Sequence, residues 1–497
     1  MSKFLLTREK VIMKLFHFRG GVHPEANKHH TAHKTIRVMP MPKKLYVPLQ
    51  QHVGAAAEPQ VEIGQHVLKG QLLAHSQGNI SAPVHAPTSG TVIAIGEFSA
   101  PHPSGLPVRT ITIEADGEDR WIDCNTPADP FELDPTEIST RVGAAGVVGM
   151  GGATFPAAVK LRLGMKSDIH TFIVNGGECE PYLTCDDRLM RERSIELIDG
   201  IRIVMRALQP QQTYIAIEDN KPEAIAILTE ACQPYDNIKV VPVPAQYPMG
   251  SAQHMITTIT GVEVPANGRS ADVGVLVHNV GTVVAIHKAV RHGQALISRI
   301  VTVGGGAMTE PQNVEVPIGA LLSDVIEFCG GFKEKPARLV MGGPMMGLVM
   351  PSLDVPVVKG TSGIIGLTLD EITPKPTMPC IRCASCVDAC PSGLVPLEMA
   401  SNIRSGELEG AIKFGLVDCI ACGCCAYVCP SQIPLVQYFN YAKDELAAQQ
   451  RAKHKGEETR KLVETRKQRI DAEIAARAAA AAARKAAKAQ KASEASA

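Results

Sequence analysis

The sequence predicts a multidomain protein of mixed α/β and α+β class, and three observations carry this prediction. Short runs rich in Val, Ile and Gly fill residues 35–128, and apolar strands alternate with helical stretches over residues 129–296. Eight of the 14 cysteines then repeat one spacing twice within residues 366–440. At 497 residues, the chain is long enough for several separate cores.

Composition excludes some functions. Basic and acidic residues balance at 50 each and aromatics make up 4%, with Trp121 the single tryptophan, so we expect no nucleic-acid partner. No apolar run reaches about 18 residues, which predicts no transmembrane helix. The first residues are too charged for an export signal, so we expect a cytoplasmic protein.

Residues 1–34 form a histidine-dense segment. Imidazoles are common metal ligands, but no Cys or carboxylate stands at ligand spacing, and Gly-Gly and Pro indicate an irregular loop. We favour a surface loop with solvated histidines over a metal site. These histidines are His17, His23, His29, His30 and His33.

Residues 35–128 contain two related strand-turn-strand halves, VEIGQHVLKGQLLA and SAPVHAPTSGTVIAI. They resemble the barrel-sandwich hybrid fold of biotinyl and lipoyl carriers. The stretch between the halves, HSQGNISAP, lacks the lysine that such carriers modify. We therefore expect a docking or scaffold role without a covalent swinging arm.

Residues 129–296 read as an α/β sheet domain, with strands at IHTFIVN, TYIAI, IKVVPVP and GVLVHN. Gly149, Gly151 and Gly152 precede a predicted helix near Phe155, and glycines before a helix N-terminus suit a phosphate. Lys160 could add positive charge. The glycine run alone is a weak indication, because such turns are often only turns.

A second polar element follows a strand directly in VNGGECEPYLTCDDR. Asn175, Glu178 and Glu180 would lie at the carboxyl end of the sheet, where α/β folds bind ligands, although a solvated loop is an even alternative. Cys179 and Cys185 flank this element. We favour simple packing for both thiols over a redox role.

Residues 297–365 read strand, Gly-rich turn, strand and an amphipathic helix. The helix should be capped near Ser323-Asp324 and end at Gly330-Gly331. Because no helix begins directly after Gly304-Gly305-Gly306, we expect a hairpin turn there instead of a phosphate loop.

The two cysteine quartets share the spacing C-x2-C-x2-C-x3-C-P, which is that of bacterial two-cluster ferredoxins. We predict two [4Fe–4S] clusters and a role in electron transfer; structural zinc is the weaker alternative, since zinc motifs usually offer two ligands per loop. The fourth cysteine of each quartet should reach across to the other cluster, and the stretch between the quartets should be helical. The predicted ligand sets are Cys380, Cys383, Cys386 with Cys429, and Cys419, Cys422, Cys425 with Cys390.

Residues 441–497 change composition, with 14 Lys/Arg against 8 Asp/Glu and long Ala runs. Ala, Lys, Arg and Glu favour helix, but no apolar stripe repeats at core spacing. We predict a helical or disordered tail. A contact with a membrane surface or partner and a dispensable solvated tail remain alternatives.

The order of GMGGATFPAAVK, VNGGECEP, AQYPMG and VHNVGT resembles the FMN- and NADH-binding subunit of respiratory complex I (the 51-kDa type). With the first hybrid domain and the double cluster, the resemblance narrows to the RnfC family of Rnf electron transport complexes. It also implies that residues 297–365 form a β-grasp (SLBB) domain. The resemblance implies that FMN is held by Gly149, Gly151, Gly152, Lys160, Asn175, Asn279 and Thr282, with Phe155 stacking on a ring and Glu178 and Glu180 lining the nicotinamide side.

The resemblance further implies an NADH:ferredoxin-type oxidoreductase subunit. It would sit peripherally on the cytoplasmic face of the inner membrane, with membrane and iron–sulfur subunits as partners and ferredoxin as an indirect one. Two departures bear on NADH: Met150 replaces an arginine, and Ser251-Ala252 replace two glutamates. A relay subunit without NADH oxidation and a soluble diaphorase subunit are the alternatives.

Overall fold

The computed structural model describes residues 14–372 and 375–494. Most of the residues behind the export-signal expectation lie outside this range. The chain divides into two compact units, which are described separately. The large unit comprises residues 14–396 and 420–433, and the small unit comprises residues 397–419 and 434–494.

The first ordered segment, residues 14–34, runs along the large unit as an irregular strap. Its five histidines are all exposed. The amide of Phe16 donates to Thr258 O at 3.0 Å, and the amide of Tyr182 donates to Ala26 O at 2.8 Å. This placement agrees with a surface loop.

The hybrid domain consists of a four-stranded and a three-stranded sheet, in the orders β2-β8-β7-β4 and β3-β5-β6. The two predicted halves pair with each other, because β4 pairs with β7 and β5 with β6. Its strands are β2 (Lys44–Pro48), β3 (Glu58–Pro59), β4 (His66–Val67), β5 (Leu72–His75), β6 (Val84–His85), β7 (Gly90–Ser99) and β8 (Pro107–Ala115), preceded by β1 (Arg37–Val38). β1 joins the sheet of the third domain.

The second domain has a four-stranded parallel sheet in the order β11-β10-β9-β12, flanked by helices. All four predicted strands are present. They are β9 (Thr171–Gly176), β10 (Gln212–Glu218), β11 (Ile238–Val243) and β12 (Val275–Asn279). The helices are α1 (Pro135–Ala144), α2 (Ala157–Met165), α3 (Cys185–Glu192), α4 (Ser194–Leu208), α5 (Pro222–Ala231), α6 (Ala252–Thr260) and α7 (Val280–His292).

The third domain has a mixed sheet in the order β1-β14-β13-β17-β15-β16. The predicted hairpin is confirmed, since β13 and β14 are antiparallel. The predicted helix begins at Leu322, where the Asp324 carboxylate accepts from Leu321 N at 3.2 Å, and ends just before Cys329-Gly330. The elements are β13 (Ser298–Gly304), β14 (Gln312–Pro317), α8 (Leu322–Phe328), β15 (Arg338–Met341), β16 (Leu348–Val349), β17 (Gly363–Leu367) and α9 (Leu369–Ile372).

The stretch between the two cysteine quartets is not one helix. It divides into α11 (Pro396–Arg404) and α12 (Leu408–Lys413), because Gly406 takes a left-handed φ of 81° that interrupts helical geometry. Two single-turn helices, α10 (Ser385–Asp388) and α13 (Cys424–Tyr427), lie within the quartets.

The small unit contains nearly all of α11, then α12 and the long α14 (Leu435–Glu494). Leu435, Phe439 and Ala442 of α14 are buried, whereas residues 448–489 are exposed. The tail is therefore helical, as its composition predicts. Within the described residues, no helix is sufficiently long and apolar to traverse a bilayer.

Candidate functional site

The parallel sheet of the second domain reverses its strand order between β9 and β12. In open α/β sheets, ligands bind beyond the carboxyl ends of the strands at such a reversal. Asn175 and Asn279 end these two strands and stand opposite each other in the pairing register. Two of the predicted site residues thus lie together where the topology places a ligand.

The glycine loop lies against the same edge. Gly149 N donates to Phe155 O at 2.8 Å, which closes the loop, and Met150 N donates to the Thr282 hydroxyl at 2.9 Å. A Cβ on Gly151 would lie 3.3 Å from Cβ of Asn279. Gly152 has a φ of +113° and open space around it, so the middle of the loop is accessible.

The two asparagine amides are held by the protein itself. Asn175 donates to Gly250 O at 2.9 Å and accepts from Gly177 N at 2.9 Å. Asn279 caps α7 by accepting from Gly281 N at 2.8 Å, and it donates to the Asp186 carboxylate at 2.7 Å. Both side chains therefore have fixed orientations.

Lys160 and Phe155 lie on either side of the start of α2. The Lys160 ammonium donates to Val277 O beneath the loop, and burial lowers its pKa to about 8. Its neighbour His278 is buried, and burial together with the Lys160 charge holds the pKa of His278 well below its usual value. Lys160 is thus the cation at this position at neutral pH. Phe155 is half-buried.

The two glutamates are separated by the structure. Glu178 is buried and accepts from Asp186 N at 2.8 Å at the start of α3, on the same side as Asn279. Glu180 instead accepts from Met345 N at 3.0 Å and Met346 N at 2.9 Å in the third domain. Burial raises the pKa of Glu180 to about 7.

A buried arginine that sequence reasoning missed lies beneath the glycine loop. Arg299 of β13 places its guanidinium against Met150 Sδ and donates to Thr361 O at 3.1 Å. Burial and the Glu178 charge raise the pKa of Asp186 to about 6, while the positive charge of Arg299 opposes this rise. Arg299 thus supplies a cation near the position where Met150 replaces an arginine.

Lys28 of the strap is the second residue that was missed. Its ammonium donates to the carbonyl oxygens of Glu178, Glu180 and Leu183 at 2.8, 2.8 and 2.6 Å. Burial lowers its pKa. The loop after β9 is therefore fixed from outside by one cation bound to three carbonyl groups.

The two cysteine loops have the same unusual backbone. Arg382 and Ala384 have φ values of 55° and 63°, and the equivalent Ala421 and Gly423 have 55° and 86°. Non-glycine residues rarely adopt such values, and clusters of them mark functional sites. Each loop therefore flanks its second cysteine with left-handed residues.

Contacts within the large unit agree with the predicted exchange of the fourth cysteines. Cys390 lies close enough to Cys422 for their thiols to interact electrostatically. Met378, just before the first quartet, donates to Ser431 O at 2.9 Å, just after Cys429. Cys419 belongs to the small unit, so its assignment rests on spacing alone.

The remaining thiols pack as sequence reasoning favours. Burial raises the pKa of Cys179 and of Cys185, so both stay protonated. Cys424 is fully buried beside Cys422. None of these three has the depressed pKa of a reactive thiol.

Family models match four consecutive parts of the chain. Residues 16–118 match the RnfC barrel sandwich hybrid domain, and residues 142–288 match the Nuo51 FMN-binding domain. Residues 300–349 match the SLBB domain, and residues 379–433 match the 4Fe-4S dicluster domain. Fold and matches together define a flavin- and iron–sulfur-containing electron-transfer protein.

Full-length relatives agree. The RnfC-type subunit of the ion-translocating oxidoreductase complex of Rhodobacter capsulatus is 55% identical over 89% of this chain and 85% of its own length. The corresponding subunit of a proton-translocating ferredoxin:NAD(+) oxidoreductase complex of Clostridium ljungdahlii is 46% identical over 88% of this chain and 96% of its own length. The chain belongs to the RnfC family of ion-translocating oxidoreductase complexes.

Proposed function

We propose that this protein oxidises NADH at the flavin site and passes the electrons singly through its two [4Fe–4S] clusters to partner subunits. One observation carries the proposal. The loop after β9 bears Glu178 at the flavin side, and its Cys179 packs in the same apolar cluster as Cys422. One short loop therefore joins the candidate entry and exit of electrons.

The residues fit both cofactors. The open space at Gly152 and the cation at Lys160 suit a flavin phosphate, and the twin left-handed turns suit thiolate ligation of a cubane. Bound FMN supplies the conversion between a hydride and single electrons. Oxidation of one NADH to NAD+ yields two electrons and one proton, so two successive one-electron transfers through the cysteine loops balance it.

NADH as the donor is supported by the name of the Clostridium ljungdahlii relative, which belongs to a ferredoxin:NAD(+) oxidoreductase complex. The Met150 departure is offset by Arg299, which brings a guanidinium to the same loop. Ser251 is the N-cap of α6, so the second departure leaves a helix N-terminus at that position. Helix N-termini favour anionic groups.

For partners, we propose the membrane and iron–sulfur subunits of the complex, with ferredoxin as an indirect partner. Attachment would be peripheral, at the cytoplasmic face of the inner membrane. Membership in a family of complex subunits favours this arrangement over a soluble diaphorase.

A second candidate is a relay subunit that does not itself oxidise NADH. The carboxylates of Glu178 and Glu180 are both engaged by backbone amides, at Asp186 and at Met345 and Met346. Neither is therefore free to bind a nucleotide without giving up a hydrogen bond, which favours the relay.

The two candidates are separated by an anaerobic titration of the purified holoprotein with NADH, followed by electron paramagnetic resonance (EPR) of the clusters. The proposal expects NADH to reduce the clusters as far as their potentials allow. Clusters that dithionite reduces and NADH does not, in protein with full FMN content, would establish the relay instead.

A further inference from the structure

The two cysteine loops differ in exposure. Cys380 and Cys383 are exposed, and Ile381 between them is 69% exposed. Cys390, Cys422 and Cys425, which belong to the other predicted ligand set, are buried. One predicted cluster thus lies at the surface of the large unit, whereas the known side of the other is enclosed.

The enclosed loop faces the flavin domain. The Tyr247 hydroxyl, between β11 and α6, donates to Cys422 O at 2.6 Å. Tyr247 is 2% exposed and shares an apolar cluster with Cys422 and Cys424, against which Cys179 also packs. The Cys422 backbone is therefore held directly by the domain that carries the flavin site.

The strap fixes the same contact from a second direction. Gly21 N donates to Ala389 O at 3.0 Å, and Val22 and Tyr247 exchange backbone hydrogen bonds of 2.9 and 3.0 Å. A Cβ on Gly20 would lie 2.7 Å from Cys390 O. Since Gly20 and Gly21 both have positive φ, only glycines fit this sandwich without strain.

We infer that the two clusters act in a fixed order. The cluster held by Cys422, Cys425, Cys390 and Cys419 receives electrons from the flavin domain. The cluster held by Cys380, Cys383, Cys386 and Cys429 delivers them to a partner redox protein. Each transfer carries one electron: the first cluster is reduced by the flavin domain and is reoxidised as it reduces the second. The inference rests on the proposed entry of electrons at the flavin site.

The order of reduction can be tested without NADH. Bound FMN is photoreduced in the anaerobic holoprotein with an excess of an amine as sacrificial electron donor, and samples are freeze-quenched for EPR. The serine variants C422S and C383S assign the two cluster signals. The signal that C422S lacks should appear first in the wild type, and C383S should retain its photoreduction while C422S leaves its remaining cluster oxidised.

Rapid photoreduction of the remaining cluster in C422S, or simultaneous appearance of both signals in the wild type, would overturn the order. If a serine variant does not fold, Y247F replaces it. Loss of the Tyr247 hydrogen bond should shift the potential or EPR line shape of the first-reduced cluster alone, whereas Y214F, whose hydroxyl contacts neither loop, should shift neither. A shift confined to the later-reduced cluster, or no shift, would contradict the inference.

Replacing light by NADH separates this inference from the proposed function. If light reduces the clusters in the expected order and NADH reduces neither, NADH entry fails and the order stands. If both reductants work but the Cys383-dependent signal appears first, the order fails and NADH entry stands.

Discussion

Replacement of Lys28 by Met tests how the loop between the two cofactor sites is held. The substitution removes three hydrogen bonds, to Glu178 O, Glu180 O and Leu183 O, and leaves those carbonyl groups without this donor. The Lys28 side chain is partly buried, so we take the lower part of the usual range, about 2 kcal/mol for opening of the loop. That corresponds to about thirtyfold faster amide exchange at 1.36 kcal/mol per factor of ten.

The assay is hydrogen exchange of the holoprotein, read at peptides that include the Tyr182 amide, which donates to Ala26 O of the strap. The matched control is K34M, because Lys34 makes one such bond, to Pro311 O at 2.6 Å, from an exposed position. Exchange in K34M should be nearly unchanged. Exchange at Tyr182 that K28M leaves within about threefold of the wild type, below 1 kcal/mol, would refute this reasoning.

Three further outcomes follow from the site. N279A removes the cap of α7 and the donor to Asp186, so it should cost about 1 kcal/mol of stability and lower the FMN retained after gel filtration, whereas the exposed N237A should do neither. R299M leaves Asp186 without its nearby cation and should lose about 3 kcal/mol and most FMN; R299K should not restore both, since lysine lacks the planar fork. The pKa of Glu180 rises from 4.5 to about 7, so the folded chain keeps a proton that the unfolded chain releases; the free energy of unfolding should fall between pH 5 and 7, and urea titrations of E180Q should lack that slope.

Motifs that are local in sequence were predictable. The cysteine spacing, the four strands of the sheet and the polar ends at Asn175 and Asn279 were all predictable from short patterns. They are local because each depends on one strand or one loop with its own periodicity. The division between α11 and α12 was missed, although Gly406 was a visible indication.

Contacts between domains were not predictable in the same way. Lys28 reaches a loop 150 residues further along the chain, and Arg299 enters the flavin domain from the following one. No periodicity marks such residues, and a lone Lys or Arg in a sequence is most often solvated. Similarly, Tyr247 shows its role only when the Cys422 loop is packed against it.

The central claim is that electrons from NADH enter at the flavin site and leave through the cysteine loops. Anaerobic stopped-flow spectroscopy of the holoprotein tests it most directly, with NADH that carries deuterium at the transferred position. The account predicts that flavin bleaching precedes cluster reduction and that deuterium slows the bleaching. Cluster reduction without prior flavin bleaching, or flavin that NADH never bleaches, would contradict it.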